Sequence, residues 1–183
     1  MKYLKILSCL LIFMINYDVD INARNYINPF RNERISVSGI GKIKIGMKLD
    51  QAEKASGIKL LPEGGKLLEY QIAANCYFVY PNGKYDGISF MISGGIISRV
   101  DVNKNKNILT VEGAKIGDTE DRIKSIYKGK VVVEPHPYIA PEGHYLIVTP
   151  KEGYKIIFET DKGKVTSYRA GQVPDVEAIE GCE

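Results

Sequence analysis

The chain has 183 residues, of which 44% are hydrophobic and 26% are charged, and this composition is typical of a globular protein that buries a sizeable core. Its 25 basic and 22 acidic residues leave a formal net charge of +3, with the lysines spread along the chain. A nucleic-acid-binding protein would concentrate its basic residues on one segment or face, so this class is not expected.

The first 23 residues have the pattern of a cleaved signal peptide. Lys2 and Lys5 provide a positively charged start, Ile6–Ile15 is a short apolar run, and Ile21–Ala23 offers a cleavage site. The apolar run is too short to anchor the chain across a bilayer, so no stable membrane span is expected in the mature protein. The sequence therefore predicts an exported protein, either periplasmic or extracellular.

Removal of this segment leaves Cys76 and Cys182 as the cysteines of the mature chain. Disulfide bonds persist in exported proteins, so we expect these two cysteines to pair. A free thiol and a metal ligand are the alternatives, and the lack of any CxxC spacing disfavours the metal ligand.

The first half begins with residues 24–34, which are polar, show no periodicity and are predicted to be a flexible leader. The segment Leu60–Ile72 fits either a helix or a strand, because Pro62 and two glycines interrupt it. The other predicted elements of this half are, in order, a strand at Ile43 and Ile45, a helix at Lys48–Ser56, and strands at Cys76–Tyr80, Gly87–Ile92 and Ile96–Val102.

The second half repeats this order of elements after roughly 70 residues. Ile116–Gly117 corresponds to Ile45–Gly46, and Phe158 corresponds to Phe90. The predicted elements are a helix at Glu120–Tyr127 capped by Thr119, and strands at Val131–Val133, Tyr145–Val148 and Val165–Arg169. The sequence thus predicts an α+β fold of two tandem repeats, residues 35–103 and 104–172, each a short helical segment on a mainly antiparallel three- to four-stranded sheet. A C-terminal tail, residues 173–183, follows them.

Both histidines of the chain lie in one loop between two predicted strands, and three prolines in it restrict the backbone and predict an ordered conformation. The candidate binding residues are Glu134, His136, Tyr138, Glu142, His144 and Tyr145. The imidazole and carboxylate groups are suited to zinc. Recognition of a partner without metal and a purely structural role are the other interpretations of this loop.

Two further groups of polar residues have competing interpretations. Asp101–Glu112 carries oxygen ligands at several positions of a calcium-binding loop, but Lys106 replaces the glycine that such a loop needs, so a polar linker between the repeats is predicted. The side chains of Arg99, Arg122 and Arg169 could gather around a carboxylate, although surface ion pairs explain them equally well.

The run from Ile45 to Gly57, Ile-Gly-Met-x-x-x-x-Ala-Glu-x-x-x-Gly, resembles the helix signature of the tandem-repeat β-lactamase inhibitor protein and of small outer-membrane assembly lipoproteins. Across residues 37 to 182 the chain is also similar to uncharacterised secreted bacterial proteins, including at Glu134–Tyr138 and Glu180–Cys182. The resemblance implies helical segments on an antiparallel sheet, and it implies no catalytic residue.

Two functional hypotheses follow from the sequence. The first is an exported, non-catalytic binding or inhibitor-like module that recognises a protein or a cell-envelope ligand through its sheet face or its proline-rich loop, without a cofactor. The second is a small metal-dependent hydrolase that uses His136, His144 and a glutamate.

Overall fold

The computed structural model describes residues 29–84 and 86–182, so the predicted signal peptide lies outside the described residues. In chain order the described strands are β1 (Arg34–Ser36), β2 (Gly39–Ile40), β3 (Ile43–Lys44), β4 (Leu60–Leu61), β5 (Cys76–Pro81), β6 (Ile88–Ser93), β7 (Ile96–Asn103), β8 (Leu109–Thr110), β9 (Val131–Pro135), β10 (His144–Lys151), β11 (Tyr154–Asp161) and β12 (Lys164–Gln172). The helices are α1 (Leu49–Ser56), α2 (Glu69–Ala74) and α3 (Glu120–Tyr127), with a short 3-10 helix at Glu63–Gly65.

Most of the described strands form one sheet, the large sheet, in the order β4-β5-β6-β7-β12-β11-β10-β9, with every neighbouring pair antiparallel. The remaining strands form the small sheet, in the order β3-β2-β1-β8, in which β1 and β8 are parallel. The predicted α+β class with a mainly antiparallel sheet is confirmed. The predicted three- to four-stranded sheets are joined through β7 and β12 into one continuous sheet.

The core lies between one face of the large sheet and a layer made of the small sheet, α1 and α3. The central apolar residues of the large sheet, Val79, Phe90, Val100, Leu146, Phe158 and Tyr168, are 0 or 1% exposed. The covering layer contributes Ile35, Ile43, Ala52 and Ile123, all 0% exposed. Burial of this apolar surface is the main stabilising contribution in a domain of this size.

Local signals define both longer helices. Gly57 ends α1 in the left-handed conformation with a φ of 73°, where glycine has no steric penalty, and its N–H donates to the Glu53 carbonyl. The Thr119 hydroxyl accepts a hydrogen bond from the Arg122 N–H at 3.2 Å, so the predicted N-cap of α3 is confirmed.

The predicted leader, residues 24–34, lies partly outside the described residues, and its described end belongs to the fold. Phe30 is 2% exposed, its ring centroid lies 5.7 Å from that of Phe90, and Arg34 opens β1. A single aromatic side chain without periodic neighbours gave no strand or helix signal, although its apolar area is large enough to enter the core. The ambiguous segment Leu60–Ile72 contains β4, the 3-10 helix and the start of α2.

The strand order of the large sheet is symmetric about the β7–β12 pair. The two halves also share a hydrogen bond: the Gly46 N–H donates to the Ile97 carbonyl at 2.8 Å, and the Gly117 N–H donates to the Val165 carbonyl at 2.8 Å. The tandem repeat itself and its boundary between residues 103 and 104 stay predictions.

The opposite face of the large sheet is crossed by residues 173–182, here called the tail. Val176 in the tail is 0% exposed and packs against Tyr145 and Ile157. A disulfide bond between Cys76 and Cys182, whose Cα atoms are 5.4 Å apart, fastens the end of the tail to β5 and confirms the predicted pairing.

Candidate functional site

The face of the large sheet under the tail carries charged side chains at its centre. Strand β7 alternates core residues Val100 and Val102 with Arg99 and Asp101, which therefore point to the tail face. Arg99 is 4% exposed, Asp101 is 8% exposed, and Arg169 of β12 is 4% exposed. Charged residues are rarely buried to this extent unless they are paired.

The buried charges are paired within the sheet. The Nε of Arg99 donates to both carboxylate oxygens of Asp101, at 3.0 and 2.9 Å. Arg169 lies opposite Asp101 across the β7–β12 pair, and its Nη1 donates to Glu159 of β11. Burial raises the pKa of Asp101 and outweighs the opposing effect of Arg99, because desolvation disfavours the ionised carboxylate.

A cleft of ≈ 450 Å³ opens above these four side chains. The rings of Phe78 and Tyr80 and the side chain of Ile179 form its apolar lining, and Ser89 and Asn103 add neutral polar groups. Glu63 adds a further charged group, so the lining is mainly polar and the cleft offers more hydrogen-bonding groups than apolar surface.

The same two arginines also hold the tail. The Nη1 of Arg99 donates to the backbone carbonyls of Asp175 and Ala178, at 2.9 and 2.6 Å. The Nε of Arg169 donates to the Val176 carbonyl at 2.7 Å. The guanidinium groups therefore recognise peptide carbonyl oxygens at one edge of the cleft.

His136 of the proline-rich loop lies next to this charged group. Its Nδ1 accepts a hydrogen bond from the Tyr138 N–H at 3.2 Å, which places the proton of a neutral ring on Nε2. The Nε2 atom is 4.0 Å from a carboxylate oxygen of Glu159. The ring centroid of His136 is 4.7 Å from that of Tyr145, so the loop is packed onto the tail face of the sheet.

Tyr145 has a buried hydroxyl group for which the described residues provide no hydrogen-bond partner. The residue is 6% exposed, and the guanidinium carbon of Arg169 lies over its ring, 5.3 Å from the centroid. Arg169 is close enough to lower the pKa of Tyr145 as a hydrogen-bond donor and as a positive charge, although the geometry at the hydroxyl falls short of a hydrogen bond. Burial raises the pKa of Tyr145, and the negative charge of Glu159 adds to this effect. An unsatisfied hydroxyl in such a place can accept or donate one hydrogen bond to a ligand or a water molecule.

The other predicted site residues lie elsewhere or at the rim. Tyr138 has a ring that is 65% exposed, and its hydroxyl donates to Glu180 in the tail. Glu134 and Glu142 are exposed. The structure thus brings His136, Tyr138 and Tyr145 together and leaves the two glutamates at the surface.

His144 belongs to a separate cluster on the helix side of the sheet. Its Nδ1 is 2.8 Å from Oε1 of Glu120 in α3, and the buried Thr160 hydroxyl donates to the same oxygen at 2.7 Å. Desolvation raises the pKa of Glu120, but the hydrogen bonds from Thr160 and His144 together outweigh it, and the net shift is downward. His144 therefore anchors α3 to β10.

The two histidines do not converge, because His136 faces Glu159 and His144 faces Glu120. In the part of the chain that the structure describes, no three His, Cys, Asp or Glu side chains are grouped so that they could hold a metal ion. The hydrolase hypothesis, which requires His136 and His144 to share a site with a glutamate, gains no geometric support.

The charged pair in β7 was not predicted as part of a site. Arg99 and Asp101 alternate with valines inside an otherwise apolar strand, and this pattern was the available signal for a buried ion pair. The sequence analysis also considered a cluster of Arg99, Arg122 and Arg169 around a carboxylate. Arg122 is exposed on α3 and lies apart from the other two arginines. The calcium interpretation of Asp101–Glu112 is wrong at its first position, because Asp101 lies in β7 and is paired with Arg99.

Neither a family model nor a curated protein matches this chain. Among solved structures, the chain is similar to that of the uncharacterized protein YfeY from Escherichia coli, with 16% sequence identity over 76% of this chain and 99% of that chain, and a TM-score of 0.47. This similarity to a bacterial protein assigns no ligand or activity to the chain. None of the described helices has both the length and the apolar character needed to cross a membrane.

Proposed function

We propose that this chain is an exported, non-catalytic binding protein whose ligand occupies the cleft on the tail face of the large sheet. The observation that carries the proposal is the group of four charged side chains at the floor of that cleft, Arg99, Asp101, Glu159 and Arg169. Ion pairs in an interior add little to stability, because desolvation of the charges offsets their attraction. All four side chains line the cleft, so a ligand bound there would contact them.

The chemistry of the cleft favours a ligand that combines hydrogen-bond acceptors with an apolar part. Arg99 and Arg169 use Nε and Nη1 for the tail and for their carboxylate partners, and their other N–H groups could donate to a ligand. Such donors are suited to the backbone of a partner protein or to the acceptor groups of a cell-envelope component. Phe78 and Tyr80 offer aromatic surface for the apolar part.

The proline-rich loop extends this site. His136 and Tyr145 adjoin Glu159 and Arg169, and the Tyr145 hydroxyl has an unused hydrogen-bonding capacity. A ligand that reaches the Tyr145 hydroxyl would satisfy it and gain a hydrogen bond in a water-poor environment. Tyr138 closes the rim through its hydrogen bond to Glu180.

Matched substitutions of two asparagines test the location of the site. Asn103→Trp places a large ring in the cleft, while Asn107→Trp places the same ring in a different cavity, lined by Lys104 and Lys106. Each variant and the wild type would be immobilised and exposed to a cell-envelope extract. We expect the wild type and Asn107→Trp to retain the same partner and Asn103→Trp to lose it, with equal melting temperatures for all three proteins.

Tyr145→Phe supplies a finer test, because it removes only the hydroxyl. Among the described residues that hydroxyl has no well-formed hydrogen bond, so the variant should melt at or slightly above the wild-type temperature. Its affinity for the captured partner should fall about tenfold if one hydrogen bond is lost. A partner that binds Asn103→Trp and Tyr145→Phe as tightly as it binds the wild type would contradict the proposed site.

A further inference from the structure

Strand β9 forms one end of the large sheet and presents an apolar edge. It pairs with β10 on one side and has no second neighbour among the described strands. Val132 is 58% exposed and Val133 is 41% exposed. An exposed edge rich in valine favours pairing with a further strand, and natural proteins usually protect such an edge.

The hydrogen bonds of β9 show which backbone groups face the open side. The His136 N–H donates to the Gly143 carbonyl in the neighbouring chain segment at 3.0 Å. Because hydrogen-bonded and non-hydrogen-bonded pairs alternate along an antiparallel ladder, the backbone groups of Val131 and Val133 point away from β10. Pro135 has the same orientation, and its missing N–H therefore costs no hydrogen bond within the sheet.

The sequence of this edge is complementary to itself. Residues 130–134 read Lys-Val-Val-Val-Glu, with a basic residue at one end and an acidic residue at the other. In an antiparallel pair of identical strands centred on Val132, Val131 of each copy lies opposite Val133 of the other copy. Val131 and Val133 are the two residues whose backbone groups point outward. Lys130 of each copy then lies opposite Glu134 of the other.

We infer that β9 is a dimerisation edge, at which a second copy of this chain adds its own β9 antiparallel about a two-fold axis through Val132. This arrangement forms backbone hydrogen bonds at Val131 and Val133 of both copies and two cross-strand ion pairs between Lys130 and Glu134. Neither Lys130 nor Glu134 has an ion-pair partner within the described chain, so both are available for this contact.

The geometry favours a closed dimer over an open chain of copies. A two-fold contact uses the same edge on both copies and leaves no further β9 exposed. The opposite end of the large sheet is β4, which is only the two residues Leu60–Leu61 long and offers a poor template. The inference rests on this edge alone and is independent of the proposed cleft function.

Charge reversal tests the predicted register. In Lys130→Glu both copies place glutamate opposite glutamate, and in Glu134→Lys both place lysine opposite lysine, so each variant should dimerise about tenfold more weakly than the wild type. An equimolar mixture of the two variants should recover the wild-type affinity, because each mixed pair again places lysine opposite glutamate. Sedimentation velocity over a concentration series measures these affinities, with Lys115→Glu on an exposed loop as the control that should behave as the wild type.

Val133→Pro tests the backbone contact separately. The proline removes an N–H that faces the open edge and leaves the pairing of β9 with β10 intact, so the variant should be monomeric at the wild-type melting temperature. A wild-type protein that stays monomeric throughout the series, or that forms larger assemblies, would overturn the inference. So would a mixture of the charge variants that dimerises no better than either variant alone.

Discussion

Replacing Cys76 and Cys182 together with alanine tests how strongly the covalent bond stabilises the fold. The bond joins residues 106 positions apart, and in the chain-entropy model a closed loop of this length contributes about 4.7 kcal/mol to the free energy of unfolding at 25 °C. The variant loses this whole contribution only if the tail remains bound to the sheet after the disulfide bond is removed. The contacts that would keep it there are the hydrogen bonds from Arg99 and Arg169 to tail carbonyls and the burial of Val176.

We expect the double alanine variant to lose about 3 to 5 kcal/mol of unfolding free energy, measured by urea titration against the oxidised wild type. Hydrogen exchange at the Val176 amide, which donates to the Gln172 carbonyl at 2.9 Å, reports whether the tail remains bound. If the Val176 amide loses its protection and the loss of unfolding free energy is below about 3 kcal/mol, the tail has detached in the folded variant. The conformational entropy of the detached tail then offsets part of the entropy gained by the unfolded chain. A loss below about 1 kcal/mol with the Val176 amide still protected would refute the loop-entropy reasoning.

Two further predictions concern buried polar contacts on the core side. Hydrogen bonds give Glu120 a pKa below its ordinary value of 4.5, so the folded chain takes up this proton less readily than the unfolded chain does. The resulting stabilisation is present above pH 4.5 and is lost as the pH falls through the lowered pKa. The melting temperature of Glu120→Gln should therefore fall less steeply with decreasing pH than that of the wild type. Parallel plots of melting temperature against pH for the two proteins would contradict the assignment. Tyr168→Phe removes the hydrogen bond from a buried hydroxyl to the Ile108 carbonyl, 2.9 Å away, and should cost about 1 to 3 kcal/mol in urea titration. Tyr70→Phe at a 68% exposed position should change stability by less than about 0.5 kcal/mol, and equal losses in the two variants would show that burial is not the cause.

The sequence was most informative where a feature depends on nearby residues. Thr119 and Gly57 mark the ends of helices through hydrogen bonds with backbone groups within four residues. The predicted cap at Thr119 is confirmed, and the helix predicted at Lys48–Ser56 ends at Ser56 as expected. Most strands of the large sheet were recognised from their β-branched and aromatic residues, but β4 lies in the segment that fitted either a helix or a strand, and β11 was indicated only by Phe158. Strand β9 continues to Pro135 and strand β10 begins at His144, both beyond the predicted ends. The disulfide bond was predictable because the predicted signal peptide contains Cys9, so Cys76 and Cys182 are the cysteines expected in a mature chain.

The features that the sequence did not predict depend on distant parts of the chain. The buried position of Arg99 follows from the tail that covers it, about 76 to 79 residues further along the chain. His136 and His144 were predicted to share a loop, yet they lie on opposite faces of the sheet. His136 follows β9 and is hydrogen-bonded opposite Gly143, so the next residue, His144, has its side chain on the other face. Phe30 enters the core through contact with Phe90, which no local pattern could indicate.

The central position of β12 determines when the fold can be completed. This strand, Lys164–Gln172, is the last in the described chain, yet it lies between β7 and β11 in the middle of the large sheet. A chain without β12 therefore holds two incomplete half-sheets, in which β7 and β11 are unpaired edges. The two halves of the large sheet join only once β12 is present, so a chain truncated between β11 and β12 should be prone to association through these edges.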